Sequence, residues 1–288
     1  MHAFFSLHLF FSLSFFGIVF KILFTHLSSE SARKAYVIFM LLPVSGTAYY
    51  WVGMDSISLF LMALLLYCIN SWILLFLVGV ALGMNHFEQA FLGFFALGMA
   101  LMFSHSPLRW RIAFATLAIV LGKCVLMLIF YENNIHLVSN RELWMFNSID
   151  KLIIEFLYHS QVILWSVLNL AWIIAIFYIK RERENIVFFG AFLFLLFFLL
   201  IVEDQTRVLA IITFPLIMIF WLKNEAFLKT LSSRLITLLC IIWIFSPFMW
   251  VWAGIPRCSI FPYDIAVVLH HVFNGINLPD NMINWPFS

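Results

Sequence analysis

Apolar residues fill this chain in long runs broken by short polar clusters, and run length is the first signal. A helix crosses bilayer hydrocarbon with about 20 apolar residues, about 17 to 25 in practice. Runs over 3–24, 35–52, 112–131, 152–179, 186–202, 208–222 and 235–253 meet or approach that length, and each predicts a membrane helix. Between Asp55 and Ser104 lies a longer apolar block, cut by CINSW at 68–72 and by NHFEQ at 85–89. At about 1.5 Å per residue it is too long for one crossing, so three short helices are expected, 56–69, 72–84 and 88–103. The predicted fold is all-α, a polytopic transmembrane bundle of about ten helices.

Composition removes the soluble alternatives. Hydrophobic residues make up 65% and charged residues 10%, against about a quarter charged in a soluble domain. The apolar runs extend from end to end, so 1–288 reads as a single integral membrane domain, with 254–288 as a non-cytoplasmic tail. Its stretch 264–273 has the pattern of an amphipathic helix lying in the interface. The first run lacks a basic leader and a small-residue cleavage site, so it is read as a span rather than a signal peptide. The cysteines, Cys68, Cys124, Cys240 and Cys258, are scattered without short spacings, which argues against a disulfide framework or a zinc site.

Charge position orients the bundle. Lys21, Arg33, Lys34, Arg109, Arg111, Lys180, Arg181, Arg183, Lys223, Lys229 and Arg234 fall on one side if the 55–104 block crosses an odd number of times. By the positive-inside rule that side is cytoplasmic. Arg141, Lys151, Arg207 and Arg257 fall on the other side. The cations form no basic face, so nucleic acid is not expected as a partner. The same topology sends Asp55, NHFEQ, the 132–151 loop, EDQTR at 203–207 and the tail to the non-cytoplasmic surface. A compact chain without long loops suits a bacterial inner membrane.

Several polar groups on that side are candidates for chemistry. In EDQTR, Arg207 sits one helical turn from Glu203 and three residues from Asp204, a spacing for local ion pairs. The guanidinium fork equally suits a phosphate or carboxylate. In NHFEQ, Glu88 is a candidate base or metal ligand with His86 as its partner, while Asn85 is enough to explain a turn there. Asp55 opens a helix, where an acid caps exposed amides; it would also stand at the rim of any site. Glu155 and His159 are four apart on one helix face in the outer half of a span, the best intramembrane clue. Lys123, in mid-helix, needs an acidic partner or room to snorkel. There is no strong metal motif, so no cofactor is expected, with a divalent metal left open.

The run MDSISLFLMALLLYCINSWILLFLVGVALGMNHFEQAFLGFFALGMAL resembles the middle of GT-C superfamily glycosyltransferases and of O-antigen and capsule polymerases. EDQTRVLAIITFP followed by SPFMWVWAGIP resembles their late helices, so the resemblance covers roughly 50–260. It implies transfer or polymerisation of sugar from a polyprenyl-phosphate-linked glycan at the outer face, among membrane lipid and other proteins of a glycan assembly pathway. Asp55 and Glu88 match the family's acidic positions, with His86 a catalytic candidate as the partner of Glu88. By the resemblance Arg207 would contact the lipid-linked phosphate; from their place on the same side, Arg141 or Arg257 are candidates to assist it, and Glu203, Asp204, Glu155 and His159 are candidate substrate-binding residues. Two other classes stay open. A transporter or flippase would use intramembrane ionisable groups on broken helices, and a non-catalytic subunit would bury its polar face against another chain.

Overall fold

The computed structural model describes residues 2–50, 53–135, 140–179, 183–200, 202, 204–245, 249–252 and 255–258. Helices dominate these residues: α1 His2–His26, α2 Ser29–Leu41, α3 Pro43–Tyr50, α4 Asp55–Tyr67, α5 Trp72–Phe103, α6 Arg109–Glu132, α7 Asn140–Leu168, α8 Ala171–Ile179, α9 Arg183–Leu196, α10 Gln205–Ile217, α11 Glu225–Thr230 and α12 Ser233–Phe245. A small antiparallel hairpin, β1 Met249–Trp252 and β2 Ile255–Cys258, follows. Among the described residues, five helical stretches are long and apolar enough to cross a membrane: Phe4–His26, Trp72–Phe103, Arg109–Glu132, Ile149–Leu168 and Gln205–Leu222. Length alone therefore accounts for fewer spans than the sequence reading expects. Asp55–Tyr67, Ile186–Leu200 and Ser233–Trp243 are apolar but shorter.

The 55–104 block divides where the polar clusters predict. CINSW separates α4 from α5, and α5 breaks at His86, whose φ of −152° and ψ of 77° are extended rather than helical. The Trp72 ring meets Phe114 edge-on, and Arg111 donates to the Ile69 carbonyl, so α5 begins beside the first turns of α6. Gly98, in the second arm, also lies against Ile112. Lys123, three turns further along α6, meets Glu88 just past the break. The two arms of α5 thus double back at His86 and run along α6 in opposite senses.

Glycine makes this close packing feasible. A Cβ on Gly83 would run into the Ile119 carbonyl, one on Gly122 into the Val80 carbonyl, and one on Gly79 would sit 2.7 Å from Ala118 Cβ. Apolar contact between helices gains little over contact with lipid tails, so backbone approach through small residues is the main source of attraction here. Elsewhere aromatic rings fill the core. Phe15 of α1 meets Phe39 of α2 and Phe214 of α10, and Trp221, in a π-helical turn after α10, meets Tyr178 and Phe188.

Long-range contacts sort the polar residues between two ends. At one end, Glu225 binds Ser28 and Ser31, Ser233 reaches Glu30, and Lys21 lies over the Tyr67 ring. Lys34, Arg111 and Lys229 share this end. At the other end, His8 of α1 meets Ser56 and the Tyr49 carbonyl, Asn85 meets Ser58, and Asp55 meets Arg207. The predicted grouping of Asp55, NHFEQ and EDQTR at one end is thus seen in the contacts.

Candidate functional site

α10 begins at Gln205, after the turn that closes α9, and its first turn carries Arg207 inward. Asp204 stands at the N-cap position, yet its side chain does not cap the helix. It grips Arg207 Nε at 2.6 Å, the i,i+3 pair that the spacing predicts. The second partner is remote in sequence: Asp55, at the start of α4, lies 3.0 Å from Arg207 Nη1. Both carboxylates are largely buried and the guanidinium is about a quarter exposed (6%, 11% and 28% side-chain exposure for Asp55, Asp204 and Arg207). One cation therefore holds two acids together. Burial is the main cause that pushes the Asp204 carboxyl up to about 6; Asp55 adds to it, and Arg207 opposes it.

The charge count constrains the chemistry. With both acids ionised the cluster carries one net negative charge, and with one protonated it is neutral. Neither state is a ready-made anion trap. The arrangement is that of a proton acceptor kept in place by a guanidinium, with a titration point near neutrality as acid–base work requires.

The surrounding polar groups fix the walls. The Val251 N–H donates to Thr206 Oγ1 at 2.9 Å, and Thr206 lies 2.6 Å from Ser166 Oγ. Ser166 donates to the Ile163 carbonyl, so Thr206 is the donor to Ser166. This chain ties the β-hairpin, α10 and α7 into one wall. On the far side His8, buried in α1, takes Ser56 on Nδ1 and the Tyr49 carbonyl on Nε2, each at 3.1 Å. A carbonyl only accepts, so Nε2 carries the proton. The single Ser12 hydroxyl proton is shared between the His8 and Ala48 carbonyls. His8, Ser12, Ser56, Ser166 and Thr206 are not among the residues the sequence singles out. The spacing of His8 and Ser12, four apart in an apolar span, is the one signal for them, because polar groups in a span face the bundle interior.

The other predicted residues lie elsewhere. Glu88 is exposed and pairs at 3.2 Å with Lys123, which supplies the acidic partner expected for that lysine. His86 marks the break in α5, and its ring is partly buried. Glu155 pairs with Lys151 at 3.7 Å on α7, and His159 is exposed rather than turned to the interior. Glu203 and the side chains of Arg141 and Arg257 lie outside the described residues, as does the tail beyond Cys258. Among the described residues no three His, Cys, Asp or Glu side chains group as metal ligands. An apolar groove of about 540 Å³ opens between the second arm of α5 and α9, with Ala96, Ala100 and Gly190 among its lining and Phe95 and Phe194 beside them.

Compared with protein-family models, curated proteins and solved structures, the chain matches none.

Proposed function

We propose that the chain is a membrane glycosyltransferase or polysaccharide polymerase that takes sugar from a polyprenyl-phosphate carrier at the non-cytoplasmic face of a bacterial inner membrane. The observation that carries this reading is Arg207 clamped between Asp55 and Asp204, at the end opposite the one where Lys34, Arg111 and Lys229 collect. By the positive-inside rule the clamp faces away from the cytoplasm.

In this reading Asp204 takes the proton of an acceptor hydroxyl. The hydroxyl oxygen bonds to the anomeric carbon, the carbon–oxygen bond to phosphate breaks, and its electron pair leaves on the phosphate. Protonation raises the charge of the cluster by one as negative charge develops on the leaving group, so the site is most favourable to the phosphate when stabilisation is needed. Asp55 keeps Arg207 in place, and the apolar groove suits the chain of the carrier lipid. His86 marks the bend of α5, and Glu88 just beyond it is engaged by Lys123.

The test is a glycan profile from cells carrying Asp204→Asn or Arg207→Lys, with membrane insertion checked by fractionation. The expected result is accumulation of lipid-linked donor and loss of product in both. An unchanged profile rejects the reading. A transporter is the second reading, favoured by the break at His86 and the interruption between α7 and α8, since transporters bind at broken helices. Proton-coupled uptake into vesicles that Asp204→Asn abolishes would select it.

A further inference from the structure

The first turn of α10 treats neighbouring polar side chains very differently. Thr206 is completely satisfied through Val251 and Ser166. Gln205 beside it is fully buried, and among the described residues neither its Nε2 nor its Oε1 has a partner. The same holds for the second oxygen of Asp204, whose first oxygen takes Arg207. It holds again for Oε1 of Gln89, a buried residue on the second arm of α5. Gly93 packs against Ile212, and the second arm descends in the same sense as α10, so Gln89, one turn above Gly93, stands toward the Gln205 end. Buried amides and carboxylates are almost always hydrogen-bonded, and an exception calls for a specific explanation.

We propose that Gln205 and Gln89, beside the Asp204 base, form a subsite for the hydroxyl face of the transferred sugar. The inventory selects the ligand class. Two unmet amide atoms are acceptors, Gln205 Oε1 and Gln89 Oε1, and one, Gln205 Nε2, is a donor, while Asp204 Oδ1 is left for the acceptor hydroxyl. A phosphate at neutral pH is chiefly an acceptor and would leave the oxygens unmet. A polyol supplies several hydroxyl donors and can accept once from the amide, which matches. The position beside the proton-accepting carboxylate puts that sugar next to the chemistry. Sites built to hydrogen-bond hydroxyls discriminate strongly against ligands lacking them, because the site's own groups are then left unpaired. The inference rests on the transferase reading and adds the part of the substrate that this turn recognises.

The experiment uses the full chain in lipid nanodiscs and reads thermal unfolding. The probes are bare polyprenyl phosphate and polyprenyl phosphate carrying glucose, galactose, mannose or N-acetylglucosamine. The wild type is expected to gain about 4 °C or more with at least one sugar-bearing lipid at saturation and clearly less with the bare one. In Gln205→Met, an apolar side chain of similar length, the lipid-free protein is expected to melt at the same temperature or higher, while the sugar-dependent gain disappears. Gln89→Met is the second variant, with the same expectation, should the first fail to fold. A lipid-free melting point that drops in both variants shows the amides already satisfied inside the protein and overturns the subsite. A sugar-dependent gain retained in Gln205→Met overturns the subsite and leaves the transferase reading standing. No gain in the wild type with any sugar overturns both. A gain from calcium or magnesium chloride alone, abolished by the same changes, makes it a cation site and overturns the sugar assignment.

Discussion

Two carboxylates at opposite ends of the bundle share a local arrangement and titrate in opposite directions. Asp204 pairs with Arg207 three residues on, and Glu225 pairs with Lys229 four residues on, at 3.2 Å. Asp204 is buried beside a second acid, and its carboxyl rises to about 6. Glu225 is partly exposed and accepts from the Ser28 hydroxyl and amide and from the Ser31 hydroxyl, and these donors hold it down to about 2. A helix-spaced ion pair says little about titration on its own. Desolvation dominates at one end and hydrogen-bond donors at the other. Glu225 latches α2 to α11 through the Ser28 and Ser31 hydroxyls, whereas Asp204 is raised because burial outweighs its ion pair.

The largest expected effect breaks both ends together. Gly83→Leu drives a side chain into the backbone of α6 at Ile119; folded protein recovered after detergent extraction should fall to background, because overpacking against backbone has no relaxed alternative. Next comes the contrast between the cations. Arg207→Ala leaves two buried acids without their counter-charge and is expected to cost about 3–5 kcal/mol, measured by denaturant unfolding in micelles. Lys229→Ala removes an exposed partner and should produce no measurable change. Equal losses in the two variants would erase the distinction between the ends.

The pH dependence sharpens it further. Asp204 binds its proton more tightly when folded than its ordinary 3.8, so its contribution makes stability fall as pH rises from 3.8 to about 6. Glu225 binds its proton less tightly when folded than its ordinary 4.5, so its contribution is present above 4.5 and is lost as pH falls toward about 2. Melting curves across this range should lose the first slope in Asp204→Asn and the second in Glu225→Gln; a slope that survives its own substitution is assigned to another group. The smallest expected effect is Glu88→Gln, which removes only the exposed pair with Lys123. It should change stability by about 0–1 kcal/mol and leave the glycan profile intact.

Much of this is legible in the sequence because it is local. Run lengths, CINSW and NHFEQ place the α4–α5 and His86 breaks, since polar side chains and backbone turns are confined to helix ends or cavities in a membrane. The Asp204–Arg207 pair follows from helix spacing, and the grouping of cations at one end follows from alternating helix direction. Tertiary packing decided the rest. That Asp55 reaches Arg207 while Glu88 turns to Lys123 depends on which faces of α4 and α5 meet α10 and α6, and Gly83 and Gly122 set the α5–α6 face through backbone approach. The spacing of His8 from Ser12 marks a polar face of α1, but its partners Ser56 and the Tyr49 carbonyl are met only once α1 packs on α4. The opposite titration of Asp204 and Glu225 has no local signature, because it depends on water exclusion and on donors from α2, nearly two hundred residues away in sequence. Periodicity fixes what a helix presents along its length, but only packing fixes what each presented group meets.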